Sequence, residues 1–306
     1  MTSYRLGINT CFAVKRWPRP EEWARIAADE LGLDLVQHSL DLVDLDAGEA
    51  AVAAQAADVR GACGAAGLEL SSTFTGLIAY STSLLLHPDP AARRRAVDWY
   101  ERVIAFSALA GARRAGGHVG SLSTADHGDP VRREALWEEL ADTLHALATT
   151  ARAAGLDALL VENMASAREP STIGEIERLL STGGRAHVPI ELCLDVGHHC
   201  VPGTSGDERD PYAWLRRLGT RAPVVHLQQS DAEGDHHWPF TPEYNARGRI
   251  EAARVLDAIE ASGAAEVELI LEVIPPFEQD DRALLTDLRA SVAHWRDALR
   301  SIGSDA

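Results

Sequence analysis

Pro189-Ile190-Glu191-Leu192-Cys193-Leu194-Asp195-Val196-Gly197-His198 is an apolar, strand-like run closed by a carboxylate, then a glycine turn carrying an imidazole. Three other segments end in the same way: Leu160-Val161-Glu162-Asn163, Val224-Val225-His226-Leu227-Gln228 and Leu269-Ile270-Leu271-Glu272-Val273. Each places a side chain able to bind metal where a buried strand stops. Glu162, Asp195, His226 and Glu272 together form a mixed oxygen and nitrogen set suited to Mn²⁺, Mg²⁺, Co²⁺ or Zn²⁺. A structural zinc site would favour cysteine instead.

Working outward, these four runs belong to a series of eight: Tyr4 to Asn9, Leu33 to His38, Leu68 to Phe74, Arg114 to Val119, Asp157 to Glu162, Pro189 to Asp195, Pro223 to Gln228 and Val267 to Glu272. Helical patterns separate them, such as Ala91-Val97-Tyr100-Ile104-Leu109 and Leu136-Leu140-Leu144-Leu147-Ala151, whose apolar spacing of about three to four suits helices covering a sheet. Gly67, Gly111, Gly155 and Gly263 stand where such helices would stop in the left-handed conformation. Leu284, Leu288, Val292, Trp295 and Leu299 mark a closing helix. Strict alternation without a linker predicts a single (β/α)₈ TIM barrel, one domain spanning 1–306. No G-x-G-x-x-G follows the first run, which argues against a dinucleotide-binding sheet. In a barrel, active sites lie at the carboxyl ends of the strands, where all four ligand candidates fall.

With 306 residues, 46% of them hydrophobic, the chain is long enough to bury a large core. It holds no apolar run long enough for a signal region or a membrane span, so a soluble cytoplasmic protein with no membrane partner is expected. Cys11, Cys63, Cys193 and Cys200 lack C-x-x-C spacing and read as reduced packing residues. A formal charge of -17 and a single lysine, Lys15, disfavour a nucleic-acid partner, because such affinity rests on cations neutralising phosphates. A small anionic substrate stays compatible, since one or two arginines set the field within a cleft.

Three carboxylates converging on one barrel mouth would repel one another unless a cation sat among them. His198 falls three residues after Asp195 and is expected to touch substrate or metal. Gln228 shares a strand face with His226 and is read as its hydrogen-bonding neighbour. The Asp235-His236-His237-Trp238-Pro239-Phe240 loop would line or cover the pocket, making His237 a substrate-binding candidate. His118 closes the fourth run among glycines that let backbone approach a ligand. Arg93-Arg94-Arg95 reads as a solvated face. Trp99, Trp137 and Trp295 fall on helical stretches, as core or as part of a homo-oligomer interface.

Taken in order, Glu162, Asp195 with His198, His226 and Glu272 resemble the recurrent marks of the xylose isomerase-like barrels, a group that includes ketose 3-epimerases, sugar-phosphate isomerases and endonuclease IV. The resemblance implies an isomerase of carbohydrate metabolism in which two glutamates, here Glu162 and Glu272, are the acid/base pair while a divalent ion holds adjacent substrate oxygens through an enediolate. Gly7-Ile8-Asn9-Thr10, Glu30-Leu31-Gly32-Leu33 and His226-Leu227-Gln228-Gln229-Ser230-Asp231 with His237-Trp238-Pro239-Phe240-Thr241 look similar to sugar-phosphate isomerases of tetritol catabolism. Those enzymes act on L-erythrulose 1-phosphate and shift its carbonyl. A phosphate clamp would then be needed, with Lys15, Arg16 and Arg247 as candidates. The alternatives are a non-phosphorylated ketose 3-epimerase or aldose-ketose isomerase and, from another class, an endonuclease IV-like nuclease. His118 and Asp235-x-His237 resemble part of that nuclease's metal set, but Thr73-Phe74-Thr75 stands where it carries a histidine.

Overall fold

The computed structural model describes residues 2–181 and 188–304. Eight parallel strands close into a barrel in chain order: β1 (Ser3–Asn9), β2 (Leu35–Ser39), β3 (Glu69–Phe74), β4 (Arg114–Gly117), β5 (Ala158–Glu162), β6 (Ile190–Asp195), β7 (Val224–Leu227) and β8 (Glu266–Leu271). This is the (β/α)₈ architecture expected from the alternating runs, and strand ends fall within two residues of the expected positions. The helices are α1 (Pro20–Arg25), α2 (Glu49–Ala66), α3 (Leu77–Tyr80), α4 (Pro90–Ala110), α5 (Thr124–Gly128), α6 (Pro130–Ala154), α7 (Ile173–Leu180), α8 (Pro211–Leu218), α9 (Pro242–Arg247), α10 (Ala252–Ser262) and α11 (Asp281–Ser301). Among the described residues, no helix is long and apolar enough to cross a membrane.

Two compact units make up the chain. The first comprises Met1–Gln37, Ala62–Glu69 and Cys193–Ala306. Within it β1 runs beside β8 in continuous register from Ser3↔Glu266 to Ile8↔Leu271, and β7 lies beside both β6 and β8. The pairing Asp195↔His226 puts a carboxylate and an imidazole on neighbouring strands at the same level. The closing helix α11 buries Leu284, Leu288, Val292, Trp295 and Leu299, the stripe expected from its sequence.

The second unit comprises His38–Gly61 and Leu70–Leu192. Its two long helices begin and end for local reasons. Asp89 accepts from the N–H of Ala91 and Asp129 from those of Val131 and Arg132, with proline at the first helical position in both. Gly111 and Gly155 end them with φ of 86° and 88°, as the left-handed stop requires. Two details differ from expectation. Leu109 is 47% exposed, and the inward stripe of α4 runs through Ala96, Tyr100, Val103, Ile104, Phe106 and Ala110 instead. Arg93 is not on a solvated face: it is 7% exposed and grips both Glu139 oxygens at 2.7 and 2.8 Å plus the His87 carbonyl at 2.7 Å. Arg94 and Arg95 are exposed.

All four cysteines are buried and free, as their spacing implied. Trp295 and Trp137 are buried, whereas Trp99 is half-buried and lines a surface cavity with Leu40, Asp41, Ile78 and Leu84.

Candidate active site

In the first unit, Asp195 ends β6 fully buried and accepts the N–H of Gly197 at 2.6 Å, which bends the chain out of the strand. A Cβ on Gly197 would lie 2.3 Å from the Gln228 side chain, so this turn accepts only glycine without displacing Gln228. Gln228 Nε2 donates to both Asp195 oxygens, at 3.1 and 3.3 Å, and to Asp235 Oδ1 at 2.7 Å. Its Oε1 accepts from the backbone N–H of His237 at 2.6 Å. The neighbour role expected for Gln228 is thus a tether between strand and loop.

His226, on β7, presents Nδ1 2.9 Å from Glu272 Oε2 and 3.9 Å from Asp195 Oδ2. Glu272 stands one residue past β8, where its N–H still extends the ladder to Leu227. Asp195, His226 and Glu272 offer ligand atoms lying within 4.8 Å of one another. The groups around the two carboxylates include amides and imidazoles: Asn9 Nδ2 reaches Glu272 Oε1 at 3.0 Å, and His237 Nδ1 reaches Oε2 at 3.5 Å. Two buried carboxylates converging on one imidazole nitrogen are costly in a low-dielectric interior and offer hard donors to a divalent cation, so the residues present fit such an ion.

A second cluster adjoins the first. His198 Nε2 lies 3.3 Å from Asp235 Oδ2, and His237 Nε2 lies 3.1 Å from Asp235 Oδ1, with the two rings edge to face at 5.6 Å. Asp195, His198 and His237 form another group of ligand atoms within 4.8 Å. Burial pulls the His237 imidazole down, but the Asp235 carboxylate beside it outweighs burial and holds it up at about 9. Conversely, burial pushes Asp235 up while His237 and His198 outweigh it, holding the carboxyl well below its ordinary value. The loop carrying this pair is pinned by the antiparallel bridge between Gln229 and Trp238.

In the second unit, Glu162 ends β5 with no exposure and accepts a hydrogen bond on Oε2 from the Tyr80 hydroxyl. The Tyr80 ring stacks on His118 at 5.0 Å, and the His118 N–H donates to Thr75 Oγ1 at 2.8 Å. Tyr80 is placed by Asp41, whose oxygens accept the first N–H groups of α3, from Leu77 at 2.6 Å and Ile78 at 3.0 Å. Gly116 and Gly117 bring the backbone before His118 into a space where a Cβ would meet the Leu160 carbonyl at 2.0 Å and Thr75 Oγ1 at 2.2 Å. Burial, with the Glu162 charge adding to it, pushes the nearby Tyr100 phenol up.

The three cations considered for a phosphate belong to the first unit and have partners of their own there. Arg16 is ion-paired with Asp281 and donates to the carbonyls of Pro276 and Phe277 at 2.8 and 3.1 Å. Lys15 Nζ sits 3.9 Å over the Phe277 ring. Arg247 lies 3.9 Å from Glu243 and 4.6 Å over Trp238. Sequence reading missed Asn9, Gln37 and Tyr80. The first two are neutral amides, Asn9 closing β1 and Gln37 within β2, where a polar residue in a buried run was the available signal.

The family model described as the xylose isomerase-like TIM barrel matches residues 26–298. D-erythrulose 1-phosphate 3-epimerase of Brucella abortus (strain 2308) is 30% identical over 294 residues, covering 95% of this chain and 94% of its own. A crystal structure from Rhodospirillum rubrum ATCC 11170, assigned provisionally as a xylose isomerase, is 32% identical with a TM-score of 0.89, covering 96% of this chain and 99% of that one. D-psicose 3-epimerase from Clostridium cellulolyticum H10 shares the fold, with a TM-score of 0.68 at 17% identity over 96% of this chain and 99% of its own.

Proposed function

Because the chain belongs to the xylose isomerase-like TIM barrel family, we propose that this isomerase-class enzyme is a divalent-metal-dependent ketose-phosphate 3-epimerase, acting through an enediolate on a short substrate such as erythrulose 1-phosphate. The observation that carries this reading is the buried convergence of Asp195, His226 and Glu272. Glu162, at the end of β5, takes the fourth ligand role that the family resemblance implies. The curated relative, a 3-epimerase of a four-carbon ketose phosphate, supports the substrate class and favours inversion over the carbonyl shift expected from sequence.

When bound, a divalent ion, most simply Mn²⁺, offsets the negative charge that develops on the two adjacent substrate oxygens. One glutamate removes the proton from the carbon beside the carbonyl, and its electron pair becomes the enediolate double bond. The other glutamate then returns a proton to the opposite face of the same carbon, inverting it. Asn9 restrains Glu272 and Tyr80 restrains Glu162, so each carboxylate meets the substrate in a fixed orientation. His198, Gln228 and His237 contact the sugar oxygens, His118 lines the pocket, and Lys15, Arg16 and Arg247 are the cations assigned to the ester. The enzyme is read as cytoplasmic, with the sugar phosphate as its partner.

A nuclease reading draws on the second ligand group, Asp195, His198 and His237. It is disfavoured by Thr73 on the third strand and by the charge of -17.

Both enantiomers of erythrulose 1-phosphate and a panel of free ketoses, incubated with Mn²⁺-loaded enzyme, test the proposal. Interconversion of the two phosphate esters, read by NMR with chiral separation, is expected. Formation of the 4-phosphate would replace epimerase with isomerase, and turnover of free ketoses alone would remove the phosphate ester from the assignment.

A further inference from the structure

The backbone N–H of Cys11 can only donate, and it donates to Asn9 Oδ1 at 2.9 Å. That contact fixes which way round the Asn9 amide lies, so the group Asn9 turns toward Gln37 is its NH₂. At 2.7 Å from that donor, Gln37 must present its carbonyl oxygen, Oε1. The same oxygen lies 2.6 Å from His226 Nε2. Two acceptors do not approach to that distance, so Nε2 carries a proton. In a neutral imidazole the other nitrogen then holds the lone pair. Nδ1 is the nitrogen that faces Glu272 Oε2 at 2.9 Å and Asp195 Oδ2 at 3.9 Å, a convergence of lone pairs that a cation held among them reconciles.

We infer that Gln37, oriented by Asn9 from the Cys11 amide, is the positioning residue that fixes His226 in its Nε2–H tautomer and so commits Nδ1 to the divalent ion. The metal-facing half of this statement rests on the divalent-ion reading above. Asn9 does a second job with the same NH₂ group, donating to Glu272 Oε1 at 3.0 Å and so turning Oε2 toward His226. One backbone amide thereby orients both an imidazole and a carboxylate of the site, through two side chains no more than 1% exposed. The strand register makes the relay possible, because Asn9, the last residue of β1, is paired with Gln37 within β2. Ligand-orienting partners of this kind are worth about 10- to 100-fold in metal affinity.

The decisive experiment starts with metal-free protein carrying ¹⁵N-labelled histidine, its His226 signals assigned by comparison with His226→Asn. A long-range ¹H–¹⁵N correlation at pH 8 reads the tautomer directly and needs neither metal nor turnover. Expected is a protonated Nε2 and an unprotonated Nδ1, with Zn²⁺ then shifting Nδ1 while Nε2 keeps its proton. A protonated Nδ1, an imidazolium at this pH, or metallation at Nε2 would overturn the inference. In parallel, Gln37→Leu should weaken Mn²⁺ binding by about 10- to 100-fold, while Gln37→Glu, which restores an acceptor, should stay within about threefold of the parent. Parent-like binding by the leucine variant would also overturn it. If the parent binds no divalent ion, the metal reading fails on its own, and the tautomer of the metal-free protein still decides the hydrogen-bond relay.

Discussion

Tyr80→Phe isolates one atom of the proposed machinery. The hydroxyl is removed from a carboxylate, Glu162, that is fully buried, while the phenyl ring can keep its place on His118 at 5.0 Å. A hydrogen bond to an ionised group contributes about 1.5–3 kcal/mol. Here that energy serves to hold the acid/base carboxylate in its reacting orientation. Its loss should appear as a fall in kcat/KM of about 10- to 150-fold, because about 1.4 kcal/mol corresponds to a factor of ten. The fall should sit in kcat, since the hydroxyl touches the glutamate and not the group that anchors the phosphate. The assay is initial-rate epimerisation by the Mn²⁺-loaded enzyme, with thermal melting and circular dichroism confirming that the variant is folded. A folded variant with kcat/KM within about twofold of the parent would refute the claim that Tyr80 orients Glu162.

Two further outcomes follow from buried groups away from the site. Arg93→Ala should cost about 1–2 kcal/mol, because the buried guanidinium's charged hydrogen bonds to Glu139 and the His87 carbonyl are lost while the exposed Glu139 carboxylate can be solvated in their place. Thermal melting of this variant, Glu139→Ala and the double variant should show strong non-additivity, whereas additive losses would mean that the pair is not coupled. Burial pulls the His38 imidazole down to about 3, so the folded protein keeps it neutral where the unfolded chain takes up a proton at its ordinary value of 6.5. The resulting stability is fully present above pH 6.5 and is lost as pH falls toward 3, at about 1.4 kcal/mol per pH unit. In His38→Gln, urea unfolding across that window should have a pH slope shallower by about one proton, and an unchanged slope would contradict this account.

Much of this molecule is readable from its sequence because a parallel barrel buries nearly all of its strand residues. Where a strand runs apolar to its last residues, the residue that stops the run also marks the strand's carboxyl end, as Asp195 and Glu162 do. The glycine at 197 and the left-handed stops at 111 and 155 are visible for a similar reason, since each follows from local backbone geometry. What stayed hidden depends on partners distant in sequence. Arg93 looks like part of a charged run until Glu139, 46 residues away, closes on it. Tyr80 lies in a four-residue helix with no pattern of its own, and the Asp41 clamp at the start of that helix helps aim it at Glu162. Asn9 and Gln37 are unremarkable amides until strand register makes them neighbours.

In the proposed reaction, buried carboxylates move a carbon-bound proton with the help of a divalent ion. Solvent-deuterium incorporation at carbon three of erythrulose 1-phosphate, followed by NMR with metal-stripped enzyme before and after adding Mn²⁺, tests it most directly. Exchange should appear only with the metal restored and fall at least about 100-fold in Glu162→Gln and Glu272→Gln, in keeping with the usual size of general acid–base catalysis. Epimerisation without any deuterium entering carbon three, or equal exchange in stripped enzyme, would contradict it.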